Sequence, residues 1–328
     1  MMHSSRNRLF RLFLLSVFLI GLLARVGFSE EIYPDRPITL VNGWQAGGMH
    51  DNLSRLLSRA AEKELGQPII NENKTGAAGV IAKAFVLKSK PDGYTLGTTI
   101  TATYIVQPQI RKTPYNPFTD ITDIMTFAKY NNGICVRTDS QWNTIEDVIA
   151  YSKKNPGKFT YAHPGVGMMP HIVLEQYTRE EGIKWAGIPF KGGPDAVMAA
   201  VGGHVDAVVM GTADLIPQIK AGKLRLLLII SENRWPEVPN APTLLEKGHK
   251  FYMLSYMGIY GPKGMPEPIR QKLETVFKNA MKDRAFQDML KQYYIEEGFL
   301  TGKEYSEKWK AMYAPMGKIL NTLELVEK

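Results

Sequence analysis

Ile38-Thr39-Leu40-Val41-Asn42-Gly43-Trp44-Gln45-Ala46-Gly47-Gly48-Met49-His50-Asp51 starts as an apolar, β-branched run and stops at a loop with paired glycines. An aspartate and a leucine-rich helical pattern, Leu53 to Leu65, come next. Strand, glycine turn and helix is the order that points free backbone N–H groups at an anion. The loop by itself does not choose among a nucleotide phosphate, a free carboxylate and no ligand.

Outward from this stretch, short apolar runs alternate with helical patterns. Ile38 to Gly43 reads as a strand, Asp51 to Leu65 as a helix and Pro68 to Asn71 as a strand. Gly79 to Lys88 reads as a helix, and Tyr94 to Thr99 as a strand after the turn Lys90-Pro91-Asp92-Gly93. Such alternation predicts a parallel sheet with helices on both faces. Ile121 to Val136 is then a long extended stretch, broken by Asn131-Asn132-Gly133, with no crossover helix.

The alternation restarts beyond it. Helices are expected at Thr144 to Lys154, Met169 to Glu181, Pro194 to Gly202 and Ala213 to Ala221. Strands are expected at Phe159 to Ala162, Trp185 to Pro189, Val205 to Met210 and Leu224 to Ser231. A proline-rich loop (Pro236, Pro239, Pro242) closes the series, Phe251 to Gly261 is again extended, and Pro266 to Lys328 looks almost wholly helical. The pattern suits two α/β lobes, with Ile121–Val136 and Phe251–Gly261 as crossing strands. Lobe 1 would hold residues 30–133 and 254–328, and lobe 2 residues 134–253. A single larger sheet is the alternative, since chains of this length also fold as one domain.

The 328 residues, 44% hydrophobic and 22% charged, can bury one large or two medium cores. Half of the net charge of +8 comes from Arg6, Arg8, Arg11 and Arg25, before residue 30, where no acid occurs. What remains is too modest and dispersed to argue for nucleic acid. Lys153, Lys154 and Lys158 read as a solvated face.

The basic start and the apolar run Leu12 to Leu23 read as an export signal over residues 1–29, with Gly27 and Ser29 at the −3 and −1 positions. The run falls short of the ~20 residues that span a bilayer. An uncleaved anchor helix is the alternative. The single cysteine, Cys135, excludes an intrachain disulfide and reads as a small buried hydrophobe on a strand.

Glycine-rich loops recur at strand-to-helix junctions: Ala46–Asp51, Thr75–Gly79, His163–His171 and Phe190–Asp195. In open α/β sheets ligands bind where such loops gather, beyond the carboxyl ends of the strands. Neither G-x-x-x-x-G-K-[ST] nor G-x-G-x-x-G occurs, and Gly165-Val166-Gly167 lacks the third glycine, which removes the common nucleotide cradles. His50, His163, His171 and His204 show no metal-site spacing. His204 reads as a solvated turn residue, and His171 as a local hydrogen-bonding partner.

No G-x-S-x-G elbow is present, and Glu180-Glu181 and Glu296-Glu297 read as exposed helix-end acids. No catalytic constellation, metal or cofactor is therefore expected. Trp44, Met49, Tyr104, Met168, Met169, Phe190 and Tyr256 together suggest a cleft with an apolar wall beside anion-binding backbone.

These motifs, in this order, resemble the substrate-binding proteins of tripartite tricarboxylate transporters, the Bug or extracytoplasmic solute receptor family. The likeness rests on Tyr33-Pro34-Asp35-Arg36-Pro37-Ile38, Ala46-Gly47-Gly48-x-x-Asp51, Leu65-Gly66-Gln67-Pro68 and Asn71-Glu72-Asn73-Lys74-x-Gly76-Ala77-x-Gly79. Pro91–Leu96, Asn155–Lys158, Gly165-x-Gly167 with His171, and Pro189-Phe190-Lys191-Gly192-Gly193 continue it. Gly202-Gly203-x-Val205-Asp206, Ile219–Arg225 and Gly261–Pro266 complete it.

The resemblance implies an α/β, two-lobe periplasmic-binding-protein fold of the type II, Venus-flytrap kind, with two crossing hinge strands. It implies secretion to the periplasm of a Gram-negative bacterium and delivery of a small organic carboxylate to membrane permease subunits. It places ligand-binding backbone at Gly47 and Gly48 and at Gly165 to Gly167, with Thr98, Thr99, Gly211 and Thr212 contributing.

The sequence departs from the family where Met49 and His50 replace common glycine or threonine, and where Met168 replaces serine or threonine. Loss of that hydroxyl argues against a hydrophilic di- or tricarboxylate. Trp44 and the methionines suggest a more apolar or aromatic one.

The expectation is a monomeric, non-enzymatic receptor without cofactor. Its ligand-facing residues would be Trp44, Gly47, Gly48, Met49, His50, Thr98, Thr99, His163, Gly165, Gly167, Met168, Met169, Phe190, Lys191, Gly211 and Thr212. Backbone amides of Gly47, Gly48 and the Gly165–Met168 turn would hold the carboxylate, and Asp51 would brace the first loop. Lys191 supplies either long-range positive potential or a surface charge. Two rivals stand: an α/β enzyme acting on a carboxylate, for which His50, His163 and His171 are the only bases on offer, and a ligand sensor for a signalling partner.

Overall fold

The apolar run that opens the first motif forms β1 (Ile38–Asn42), with Ile38, Leu40 and Val41 fully buried. A computed structural model describes residues 33–326 of the chain, except 232, 236, 237, 239, 252 and 253. The export-signal segment and prolines 236 and 239 lie outside the described residues. From Arg36 onward the chain forms one compact unit, to which both sheets belong.

Helix α1 (Met49–Leu65) follows β1 and buries Leu53, Leu57, Ala61 and Leu65, a single face at i, i+4 spacing. It ends at Gly66, whose φ of +69° suits a residue without Cβ, and the Gly66 N–H returns to the Glu62 carbonyl at 2.9 Å. Strand β2 (Ile69–Asn73), helix α2 (Val80–Leu87) and strand β3 (Thr95–Ile100) come next. Both strands run parallel to β1, one on each side.

A helical segment that the sequence reading did not anticipate then begins: a wide turn over Ala102–Val106 leading into α3 (Gln107–Ile110). Residues Ala102 to Val106 are all buried, so no polar stripe exists to reveal a helical period. Tyr104 is among them. It belongs to the core and not to a cleft wall, donating to Asp123 Oδ2 at 2.8 Å.

The long extended stretch is two strands, β4 (Ile121–Tyr130) and β5 (Asn132–Arg137), separated by Asn131 alone. β4 pairs in the first sheet and β5 in the second. The second sheet is completed by α4 (Ile145–Lys154), β6 (Thr160–His163), α5 (Met169–Glu180), β7 (Ala186–Pro189) and α6 (Gly193–Val201). After them come β8 (Ala207–Gly211), α7 (Thr212–Lys220) and β9 (Leu224–Ile230).

The chain returns to sheet 1 as β10 (Ser255–Pro262), whose first residue faces Tyr130 across the ladder. Helix α8 (Glu267–Ala280), α9 (Arg284–Gln292), β11 (Glu296–Thr301) and α10 (Gly302–Thr322) complete it. Lys63 of α1 reaches Asp283 at 2.9 Å, tying the tail to the first sheet.

Strand order is β11-β4-β10-β3-β1-β2 in sheet 1 and β7-β6-β8-β5-β9 in sheet 2. The single-sheet alternative is thereby excluded. The sheets are mixed and not purely parallel: β10, β4 and β11 are each antiparallel to their neighbours, and β5 is antiparallel to β8 and β9.

The wholly helical tail is also corrected, because β11 adds a strand to the edge of sheet 1. Gly298 lets it approach β4; a Cβ there would stand 2.6 Å from the Ala128 carbonyl carbon. Glu296 and Glu297 therefore sit on an edge strand, where exposed charge discourages pairing with another chain. Glu180 and Glu181 are not idle surface acids either. They flank His249, at 2.7 and 3.1 Å, and hold the returning segment against α5. Cys135, as expected, is fully buried on β5.

Candidate ligand-binding site

The first glycine loop is held by the acid that follows it. Asp51 Oδ2 accepts from the Gly47 amide at 2.9 Å and from Arg55 Nε at 2.7 Å. Asp51 Oδ1 accepts from Asn73 Nδ2 at 2.9 Å, and the same nitrogen also donates to the Trp44 carbonyl at 2.9 Å. Burial alone would raise the Asp51 carboxyl; hydrogen bonds from Arg55, Gly47 and Asn73, with the Arg55 charge, outweigh it and hold the pKa below the usual value. Asp51 is thus a brace. Gly43 lets β1 lie against the turn before α2, since a Cβ would stand 2.9 Å from Gly79 Cα.

This bracing corrects one expectation. The Gly47 amide is committed to Asp51, and the Gly48 amide points at the Gln45 carbonyl at 3.3 Å. The donors left for a ligand are the first-turn amides of α1, beginning at Met49 and His50, which have no intrahelical acceptor.

The loop after β6 is also internally satisfied. The Gly165 amide donates to His163 Nδ1 and the Gly167 amide to His171 Nδ1, each at 3.3 Å. The two imidazoles stack at 4.4 Å. Burial, with the His171 ring next to it, pushes His163 down to about 4, and burial pushes His171 down to about 4. Both rings are neutral acceptors that shape the loop.

Between these loops lies a cavity of about 380 Å³. Trp44, Gly47, Gly48, Met49 and His50 form its wall on the β1 side. Met168, Lys191 and Gly211 contribute from the sheet 2 side.

The other expected site residues do not line it. Thr98 and Thr99 are buried in the β3 ladder, because that strand runs one residue further and Ile100 is the residue that reaches the cavity. His163, Gly165, Gly167 and Met169 shape the second loop from behind, and Phe190 packs on the sheet 2 core. Thr212 is fully buried at the start of α7. The sequence reading missed Tyr130, Asn132, Gly193 and Asp214 in the wall. Asn132 had a visible signal, the Asn131-Asn132-Gly133 break, which was read only as a strand interruption.

Four helices start at this cavity: α1, α5, α6 and α7. Their N-cap residues are Gly48, Met168, Gly192 and Gly211, and all four belong to the wall. None supplies a side-chain cap. Of the helices elsewhere, α4 and α10 are capped by the Thr144–Asp147 and Thr301–Glu304 boxes and α9 by Asp283. Helices α2, α3 and α8 also lack a side-chain cap, so what distinguishes the cavity is that four open starts meet there. At the cavity the positive helix ends and first-turn donors remain open, less one donor each where Pro170 and Pro194 occupy the second position of α5 and α6.

Two polar wall residues lack protein partners. Both ring nitrogens of His50 and both amide atoms of Asn132 are shielded from solvent and unpaired among the described residues. Burial pushes His50 down to about 3, even against the Asp51 charge, so the ring is neutral, lying 5.7 Å from Trp44. Buried orphans of this kind mark places where a ligand or water completes the bonding.

The family model for the "Tripartite tricarboxylate transporter family receptor" matches residues 53–325. A Cupriavidus necator relative described as "UPF0065 protein in gbd 5'region" is 38% identical over 289 residues, 88% of each chain. The periplasmic binding protein BugD superposes with a TM-score of 0.82 at 29% identity, covering 90% of this chain and 100% of its own. An R. palustris protein solved with adipate superposes at 0.83 and 25% identity, covering 89% and 98%. Its two lobes are those of the periplasmic binding proteins, and the chain is a member of the tripartite tricarboxylate transporter receptor family.

Proposed function

We propose that this receptor captures a small organic carboxylate in the cavity and presents it to the permease subunits of a tripartite tricarboxylate transporter. The observation that carries the reading is the convergence of four uncapped helix starts on one cavity, a concentration of positive dipole ends and free N–H donors that favours an anion. Adipate in the R. palustris relative supports the ligand class. The wall supports a partly apolar body, with Trp44, Met49, Tyr130, Met168 and Met210 around it.

The ligand-facing set proposed is Trp44, Met49, His50, Asn132, Met168, Lys191, the first-turn amides of α1 and the backbone at Gly211. The lobes meant are residues 30–133 with 254–328, and 134–253. Export by the segment before residue 30 belongs to the same reading, as does action as a monomer. No described helix is long and apolar enough to cross a membrane.

An enzymatic reading has little to work with. His163 and His171 are locked as acceptors of backbone amides, and His50 is neutral far below neutral pH. The deciding experiment is native mass spectrometry of untreated protein, followed by thermal-shift screening of aliphatic and aromatic carboxylates. Stabilisation without turnover is expected, by mass action on the folded state. Consumption of a stabilising ligand would replace the receptor by an enzyme.

A further inference from the structure

The cavity carries a carboxylate of its own. Asp214, in the first turn of α7, is the one acid among the described residues of the wall, and Lys191 the one lysine or arginine. Asp214 also borders an adjoining cleft of about 230 Å³, shared with Gly48 and Met49, so it stands where the two cavities meet.

An acid in a first helical turn commonly serves its own helix. Asp214 does not do so by hydrogen bonding: among the described residues its carboxylate has no ion-pair partner, and burial raises its pKa to about 6. Asp51, the other acid beside the cavity, takes three hydrogen bonds. The backbone makes room for Asp214, since a Cβ on Gly193 would fall 2.8 Å from its Cγ. Tyr130, the other titratable group acting with it electrostatically, offers a hydroxyl and no positive charge.

Asp214 is half-buried and has no cationic partner among the described residues, so in a cavity otherwise built for an anion it complements a positive group on the occupant. We propose that Asp214 is a specificity residue that pairs with a protonated nitrogen on the ligand, so that the ligand is an amino-carboxylate. The carboxylate end lies at the helix starts and the cationic end at Asp214. Lys191 and Asp214 then complement a zwitterion, and a dicarboxylate is disfavoured by like charge at the second end. This inference rests on the receptor reading and narrows its ligand class.

The test is calorimetric titration of the purified chain with matched triads. One is butyrate, γ-aminobutyrate and succinate; the other is benzoate, aminomethylbenzoate and a benzenedicarboxylate. In at least one triad the amino form should bind at least about tenfold tighter than its two companions. Asp214→Asn should erase that advantage and leave the plain carboxylate within about twofold. Binding of plain or dicarboxylate forms equal to or tighter than the amino form, in both triads, overturns the inference and leaves the receptor reading standing. Failure of every carboxylate to bind overturns both. Should Asp214→Asn fail to fold, the wild-type ranking alone decides.

Discussion

The side-chain amide of Gln107, in α3 beside sheet 1, donates to the carbonyl of Gly167 in the loop of sheet 2 at 3.3 Å. It is a latch between the lobes at the cavity's edge, and Arg179 donating to the Thr322 carbonyl at 3.0 Å is a second one further out. Gly167 takes part only because it is glycine. Its φ is +74°, and a Cβ would collide with Ile110 Cδ1 and stand 2.9 Å from Gln107 Nε2. Receptors of this kind close on ligand by hinge motion, so a bond between the lobes adds to affinity by as much as closure strengthens it.

Gly167→Ala should therefore prop the lobes apart. The backbone strain of about 1–3 kcal/mol falls on the loop whether the lobes are open or closed. The clash with Ile110 and Gln107 falls on the closed state, and through it ligand affinity should fall about tenfold or more. Gln107→Ala loses one hydrogen bond, about 0.5–1.5 kcal/mol, with a correspondingly smaller loss of affinity. Small-angle scattering with and without ligand reads the closure, and calorimetry the affinity. Unchanged affinity in both variants would show that the latch does not bear on closure.

Asp51→Ala removes the acceptor for Gly47, Arg55 and Asn73 at once. Because these are hydrogen bonds to a buried carboxylate, a loss of about 2–3 kcal/mol is expected in urea unfolding. Affinity should fall as well, since the loop that carries Trp44 and starts α1 is no longer fixed. A stable variant with normal affinity would mean that the Asn73–Trp44 bond alone keeps the loop in shape.

The β1–α1 unit was legible because a β-branched run, two glycines and an i, i+4 leucine pattern each specify one local conformation. Gly47 and Gly48 could be read as cavity wall for the same reason. The direction of their amides could not, because it depends on Asp51 turning back and on Asn73 arriving from another strand. Thr98 and Thr99 stand inside the ladder with β10, and of this strand's residues it is the last, Ile100, that reaches the cavity; the sequence did not show where the strand ends. Asp214 gave little sign of its place, being unremarkable in its own segment, and the break at Asn132 gained its meaning only where β5, α6 and α7 meet. Strand β11 was missed because Glu296-Glu297-Gly298 has neither alternation nor apolar weight, its place being set by the open edge of β4.

Acid should destabilise the fold through three histidines. His50, His163 and His171 stand near 6.5 when unfolded and fall to about 3, 4 and 4 when folded. Below pH 6.5 the unfolded chain binds protons that the folded chain refuses, so stability is full above 6.5 and drains away as pH falls towards 4. Each histidine adds up to about 1.4 kcal/mol per pH unit to that slope. Asp123 and Asp214, raised to about 6, work the other way. The comparison to make is thus between wild type and His163→Gln/His171→Gln, melted from pH 7 to pH 4. The double variant should lose less on acidification, and an unchanged slope would assign acid lability to other groups.

His50 allows binding and stability to be separated. Its ring nitrogens are buried and unpaired, so in the empty protein the side chain carries a desolvation cost with nothing in return. His50→Leu fills a similar volume without polar atoms and should leave the unliganded melting temperature unchanged or raise it. If the neutral ring donates to the ligand carboxylate, the same variant should weaken binding by about 1–3 kcal/mol, a factor of roughly 5 to 150. His50→Gln, which keeps a donor, should restore part of it. A histidine that served only to pack against Trp44 would not behave this way: truncation would lower stability, and glutamine would rescue nothing. Melting and calorimetry on the two variants therefore decide whether His50 faces the ligand or merely supports the loop that does.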